Sequence, residues 1–209
     1  MIKNIIFDFD GVILDSVPVK TEGYRQLFKE HPTNLIEKMV EYHELNGGIS
    51  RYKKVKYFFN ELLKEDISEE KIQEYAAKYS ELTKVELSKE KYIIQDTLDY
   101  IKLNHNKFNM HVASGADHQD LLYICDKLNL NKYFLSIEGS PKVKNEIVGE
   151  ILNKNAYKAE ETILIGDSIN DYDAARQNSI NFYGYNNLKL KKLVNSEYIY
   201  EIEKFDFNS

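Results

Sequence analysis

The sequence predicts an α/β protein, a parallel sheet core flanked by helices with a small all-helical subdomain inserted after the first strand. Three observations predict it. First, five short apolar runs read as strands: Ile2–Phe7, Met110–Ala113, Phe134–Ile137, Thr162–Ile165 and Ile180–Tyr183. Runs this brief, rich in Ile, Val and Phe, suit strands buried on both faces. Second, helical patterns separate the later runs. Leu121, Leu122, Ile124, Cys125 and Leu128 recur at helical spacing, as do Ile147, Val148, Ile151 and Leu152. Strand alternating with helix is the pattern of a doubly wound sheet. Third, residues 16–89 contain no such run.

Taken in order, Ile2–Phe7 is the first strand, and Gly11 lets the chain turn sharply out of the sheet. The next stretch is rich in Lys, Glu and Tyr, with an amphipathic helical pattern at Val55, Phe58, Phe59, Leu62 and Leu63. Gly47-Gly48 punctuates it, and Ser50 is placed to cap the helix that follows. Ser68-Glu69-Glu70 reads as another helix start, with acids favoured by the dipole. A connection of this length needs structure of its own. The expected division is therefore a core of residues 1–15 and 90–209 and a helical cap of residues 16–89. The tail Ser196–Ser209 alternates Tyr and Ile with acids and is expected to add an edge strand.

Composition narrows the function. The 209 residues are 43% hydrophobic and 30% charged, with 28 Lys+Arg against 34 Asp+Glu and a net charge of −6. That balance argues against a general nucleic-acid binder, which needs a basic face. A small anionic substrate stays compatible, because a metal ion or a few lysines reverse the local sign. No apolar run approaches the ~18 residues of a membrane span, and the N-terminus lacks a signal-peptide pattern. A single cysteine, Cys125, excludes an internal disulfide framework and reads as core. The expectation is a cytoplasmic monomer or small homo-oligomer, bound neither to membrane nor to nucleic acid.

Four separated segments carry chemistry. Asp8-Phe9-Asp10-Gly11 follows the first strand, and carboxylates two residues apart at a strand tip point roughly the same way. Such a pair is costly to bury unless a cation or proton is shared. Gly166-Asp167-Ser168-Ile169-Asn170-Asp171 follows the fourth apolar run, with Asp171 one helical turn beyond Asp167. A plain capping role for Ser168 and Asp171 explains one acid well and the cluster poorly. Oxygen ligands from two such strand tips suit Mg²⁺. Ala113-Ser114-Gly115-Ala116 supplies a hydroxyl and backbone amides that a helix start would turn into an anion cradle. Gly139-Ser140-Pro141-Lys142-Val143-Lys144 places lysines where a helix opens.

These four segments, in this order, resemble the haloacid dehalogenase-like phosphatase superfamily: DFDG at 8–11, ASGA at 113–116, GSPKVK at 139–144 and GDSIND at 166–171. The motifs span the whole core, and the helical insertion matches the cap placed after the first motif in this superfamily. The resemblance implies a Rossmann-like fold and Mg²⁺-dependent phosphoryl transfer through an aspartyl-phosphate. It implies Asp8 as nucleophile and Asp10 as acid, then base. The metal would be held by Asp8, the Asp10 carbonyl and Asp167, with Asp171 direct or through water. Ser114, Gly115 and a lysine would hold the phosphate. Members with a GSPxxK form place that lysine three residues after the proline, which favours Lys144 over Lys142. Asp10 argues for phosphate esters rather than halides, which need no proton on leaving.

The implied substrate is a small phosphorylated metabolite, a sugar phosphate or a phosphoglycolate-like acid. A β-phosphoglucomutase-like phosphomutase shares all four motifs, and an idle binding module is disfavoured because no catalytic position is replaced. Arg51 and Lys56, near the glycine turn of the cap, are the candidate specificity residues. The five histidines show no metal-ligand spacing and are assigned no role.

Overall fold

The computed structural model describes residues 1–192 and 198–207. Six strands form one sheet: β1 (Asn4–Phe7), β2 (Asn109–Asp117), β3 (Ser136–Ser140), β4 (Thr162–Gly166), β5 (Asn181–Tyr185) and β6 (Tyr198–Ile199). Their order is β3-β2-β1-β4-β5-β6, and every pairing is parallel. The helices are α1 (Val17–Leu27), α2 (Thr33–Leu45), α3 (Arg51–Tyr57), α4 (Glu69–Leu87), α5 (Gln95–Asn104), α6 (His118–Lys127), α7 (Lys144–Asn155), α8 (Ile169–Gln177) and α9 (Leu188–Lys191). The doubly wound α/β reading of the sequence is correct.

Period-two alternation splits the sheet into two dry faces. Ile5, Phe7, Met110, Val112, Ile163 and Ile165 pack with Leu98, Ile101, Leu121 and Cys125 from α5 and α6. Ile6, Ala113, Leu164 and Phe182 pack on the other side with Ile147, Val148, Ile151 and Ala175 from α7 and α8. Every β1 residue is buried, as a central strand covered on both sides must be. Cys125 is fully buried, and burial pushes its thiol up to about 12, which makes it an inert core residue.

Three element predictions shift. The run Phe134–Ile137 marks the approach to β3 rather than the strand, which spans Ser136–Ser140, while Phe134 packs edge-to-face on Phe7 at 6.1 Å. β2 continues past Ala113 to Asp117 with a register irregularity against β3, so α6 starts three residues later than the Ser-Gly turn suggests. The expected edge strand is β6, of two residues, paired with β5; residues 193–197 and 208–209 lie outside the described part. Asp96 ties this tail down, accepting from the Tyr185 hydroxyl at 2.7 Å and from the Ile202 and Glu203 amides at 2.9 Å each.

Between residues 17 and 87 the regular structure is entirely helical, with a π-helical turn at Phe58–Leu63 continuing α3. These helices share a separate core of Tyr24, Leu27, Phe28, Met39, Val55, Phe58, Ile72 and Tyr79. Ser68 caps α4 by accepting from the Lys71 amide at 3.3 Å, as the sequence predicts. Ser50 precedes α3 in extended backbone, but its side chain makes no capping bond. Among the described residues no helix is long and apolar enough to cross a membrane.

The aromatic stack at the centre of this helical segment is its mechanical keystone: Phe28 and Phe58 are fully buried with ring centroids 3.7 Å apart. Phe28→Ala is expected to cost about 3–5 kcal/mol of stability, read by urea unfolding. Hydrogen exchange should rise first in α1, α2 and α4 rather than in the sheet.

Candidate active site

The sheet register gathers the motif residues. Phe7 is paired with Ile165 on one side and Val112 on the other. Asp8 therefore leaves β1 level with Gly166 and Ala113, with Asp167 and Ser114 one residue further along their own strands. In a doubly wound sheet this carboxyl edge, where the chain crosses to opposite sides of the first strand, is where ligands bind. Gly11 completes the geometry. Its φ is +74°, and a Cβ there would lie 2.0 Å from Asp167 Oδ2, so only glycine lets the first loop pass over that carboxylate.

Asp8, Asp167 and Asp171 each offer one carboxylate oxygen within a set whose members all lie within 4.8 Å of one another. Lys144, at the start of α7, is buried against them. Its ammonium sits 2.7 Å from Asp8 Oδ1 and also bonds Asp171 Oδ1. The other Asp171 oxygen accepts from the Ser168 amide at 2.9 Å and the Ser168 hydroxyl at 2.7 Å. Ser168 and Asp171 thus do pair at the start of α8, as the plain capping reading supposed, while the same carboxylate faces Lys144.

Electrostatics follow the burial. Burial first, then the charge of Asp171, push Asp8 well above the ordinary carboxylate range, with Lys144 pulling against them. Burial and Asp171 likewise raise Asp167 to about 7. Burial works against the Lys144 ammonium, yet Asp171 and Asp8 hold its pKa above the usual lysine value. Three carboxylates with one ammonium are short of positive charge, and all the candidate ligand atoms are hard oxygens. The set therefore fits a hard divalent cation. The Asp10 carbonyl accepts no backbone hydrogen bond from the described residues, so it is free to join that set.

Asp10 has its own partners. The Ser16 hydroxyl donates to Oδ1 at 2.6 Å and the Lys20 ammonium to Oδ2 at 2.5 Å. Burial alone would raise its pKa, but Lys20, reinforced by Ser16, holds it below the normal value. The sequence reading missed Lys20. Its position one turn past Ser16 in α1 was the available signal, weak among so many lysines.

Ser114 is fully buried and accepts from the Ala116 amide at 3.0 Å through its hydroxyl oxygen, leaving the hydroxyl proton to donate. The expected helix-start cradle behind it is absent. Asp117 itself caps α6, accepting from the Gln119 and Asp120 amides at 3.1 and 3.2 Å. An acid already occupies that helix end. Gly115 instead meets the helical segment: a Cβ on it would lie 2.4 Å from the Gly48 carbonyl oxygen. Gly48 in turn abuts Asn170, where a Cβ would come within 2.8 Å. The glycine pair first read as punctuation is a seat.

A cavity of about 300 Å³ lies at this junction, lined by Gly48, Ser50 and Lys53 on one side and Gly115, Ser140, Lys144 and Asn170 on the other. That volume suits a small molecule. Lys142 also reaches its rim but is exposed and paired with Glu150, whereas Lys144 is buried in the carboxylate set. The two specificity candidates are not brought to the cavity. The Arg51 guanidinium is buried on Asp120 of α6 at 2.6 Å and bonded to Ser80 and the Ala76 carbonyl, a clamp between α3, α4 and α6. Lys56 is exposed and does not line this cavity, because it faces away from the buried side of α3 that carries Arg51, Lys54 and Val55.

Fold and site define a class, a doubly wound α/β enzyme with a carboxylate cluster at the tips of β1 and β4. Residues 5–185 match the haloacid dehalogenase-like hydrolase family, and the chain belongs to it. A phosphorylated carbohydrates phosphatase of Thermotoga maritima is 24% identical over 182 residues, covering 84% of this chain and 81% of the relative. Among solved structures, β-phosphoglucomutase from Clostridium difficile superposes with a TM-score of 0.77 at 20% identity, covering 100% of this chain and 95% of that one. CbbY from Rhodobacter sphaeroides, solved with xylulose-(1,5)bisphosphate, gives 0.78 at 15% identity, covering 98% and 96%.

The Gly48–Gly115 seat is directly testable. Gly115→Ala places a methyl group against backbone that has no side-chain rotamer to yield. Small-angle scattering should show a larger radius of gyration, with faster hydrogen exchange at residues 47–50. Turnover should fall at least about tenfold through lost positioning.

Proposed function

We propose that this enzyme is a Mg²⁺-dependent phosphatase that hydrolyses a small phosphorylated metabolite through an aspartyl-phosphate on Asp8. The observation that carries the reading is the buried set of Asp8, Asp167 and Asp171 around Lys144, beside a cavity of small-molecule size. The name of the Thermotoga maritima relative supports a phosphorylated carbohydrate as substrate. In this reading residues 16–89 act as a cap over a core of residues 1–15 and 90–209.

A contact supports each role. Asp8 is the nucleophile; it is buried at the strand tip with Lys144 beside it. Ser114, through its free hydroxyl proton, and Lys144 take the phosphate oxygens on which negative charge builds. Asp8, Asp167, the Asp10 carbonyl and Asp171 would hold Mg²⁺, whose charge would let a carboxylate approach a phosphate dianion. Asp10 in its protonated form gives its proton to the leaving oxygen as the ester bond breaks, and the carboxylate left behind takes a proton from the attacking water. Its pKa, held low by Lys20 and Ser16, makes it an ionised acceptor, the form needed when water attacks the intermediate. Gly48 and Gly115 bring the cap close enough to exclude bulk water.

Asp8→Asn should lower turnover by at least about 10³-fold, assayed on a panel of phosphorylated metabolites with added Mg²⁺. Lys144→Ala should fall far more than Lys142→Ala. Product analysis with a hexose 1-phosphate separates the phosphomutase outcome, since a mutase yields the isomer and little free phosphate.

The metal makes a second, pH-dependent prediction. Asp167 stands at about 7 in the folded protein against an ordinary value of 3.8. A raised carboxyl contributes stability that is fully present below the unfolded pKa and is lost as pH rises through the folded one. Metal-free protein should therefore lose melting temperature between about pH 4 and pH 7. Added Mg²⁺ should restore it, more at pH 7.5 than at pH 5, and Asp167→Asn should remove most of that gain. An Mg²⁺ effect independent of pH would count against the assignment.

A further inference from the structure

α3 carries four cations, and only one of them lacks an explanation. Arg51 is clamped to Asp120, while Lys53 and Lys56 are exposed. Lys54 is 2% exposed, and among the described residues no carboxylate lies within ion-pair distance of it. Among the described residues its Nζ makes one hydrogen bond, 2.8 Å to Nδ1 of His43 on α2, and otherwise stands only 6.0 Å from the centroid of the Tyr24 ring. Proteins seldom bury an ammonium without an acid beside it, because the lost hydration is not recovered.

The surroundings show what would recover it. Burial and then Lys54 and Lys20 push His43 down to about 2, so the imidazole is neutral. With Nδ1 facing a donor, the ring proton belongs on Nε2, and that nitrogen is buried with no hydrogen-bond partner. Lys20 stands close enough to oppose the charge on Lys54, while Asp10 and Asp167 favour it; burial and Lys20 prevail and lower its pKa to about 7. Lys54 and the His43 Nε2–H are thus adjacent buried donors with unmet capacity, in electrostatic reach of the Lys20–Asp10 pair. The acceptor oxygens of Asp10 are already taken by Lys20 and Ser16. Buried donors of this kind call for an anion.

We propose that Lys54, supported by His43, is the cap's specificity residue and binds an anionic oxygen group, a carboxylate or a second phosphate, on the leaving portion of the substrate. The proposal rests on the phosphatase reading above and narrows it to substrates that carry a second anionic group near the ester oxygen served by Asp10. It also replaces Arg51 and Lys56 as specificity residues with a lysine whose side chain points inward from the same helix.

The test compares wild type, Lys54→Met and Lys54→Arg with Mg²⁺ on two substrate sets. Phosphoglycolate and a hexose bisphosphate have an anionic leaving portion; a hexose monophosphate and p-nitrophenyl phosphate do not. Lys54→Met should raise KM for the first set by about tenfold more than for the second, with the smaller change in kcat. Lys54→Arg should recover most of that difference. Equal effects on both sets, or none on either, would overturn the proposal. If wild type hydrolyses no member of either set, the phosphatase reading itself fails, and calorimetry on Asp8→Asn protein then decides the subsite. Lys54→Met should weaken phosphoglycolate binding while leaving inorganic phosphate binding within about threefold. An equal loss for both ligands would place Lys54 at the reacting phosphate and sink the idea.

Discussion

The constraint on which everything else depends is electrostatic: carboxylates at two neighbouring strand tips must be held together out of water. Carboxylates this close repel, and burial raises the cost of each charge. The fold meets that cost with fixed cations. Lys144 bridges Asp8 and Asp171, and Lys20 neutralises Asp10. Neither lysine comes from the strands that carry the acids. One opens α7 after β3 and the other lies in α1, so the site forms only when the sheet order brings β1 beside β4 and α1 folds back over the first loop.

The same constraint explains where the helical segment sits. Apart from Val19 and Leu87 near its two ends, which join the apolar cluster of the core, its named contacts with the core are charged or steric. Arg51 meets Asp120, the Tyr52 hydroxyl donates to Asp117 at 2.5 Å, and Gly48 lies on Gly115. The aromatic core of Tyr24, Phe28 and Phe58 stays within the segment. In the proposed reading, in which this segment is a cap, its own dry core and a largely polar seam would let it move as a body. The seam also sets Asp10, since one of its two partners, Lys20, belongs to the segment that would move.

Legibility in the sequence followed the range of the interactions. The sheet was readable because a strand buried on both faces declares itself in four or five residues, as Ile2–Phe7 and Thr162–Ile165 do. The acids were readable because each follows such a run at its tip. What failed was anything decided across the seam. Arg51 and Lys54 are three residues apart on one short helix, and nothing local says which is tied to Asp120 of the core and which to His43 within the segment. Lys20 was lost among 28 basic residues because its meaning lies in a contact with Asp10. The α6 cradle was misplaced for a different reason. A bulged strand and a turn look alike in Ser-Gly-Ala, and only pairing with β3 carries β2 on to Asp117.

The charge of the chain takes on local meaning once the site is assembled. Asp8, Asp10, Asp167 and Asp171 face Lys144, Lys20 and Lys54, so even a fully charged Lys54 leaves the protein's own groups with one negative charge in excess. A phosphate dianion would be repelled by that set. One divalent cation turns the excess positive, and the dianion then becomes attracted in an environment where the interaction is weakly screened. A second anionic group on the substrate shifts the balance further, which is tolerable only if Lys54 keeps its proton. In the proposed reading an anion beside Lys54 would oppose the lowering by burial and Lys20 and so return its full charge. Binding and protonation therefore reinforce each other, and a net charge of −6 becomes compatible with selecting an anion.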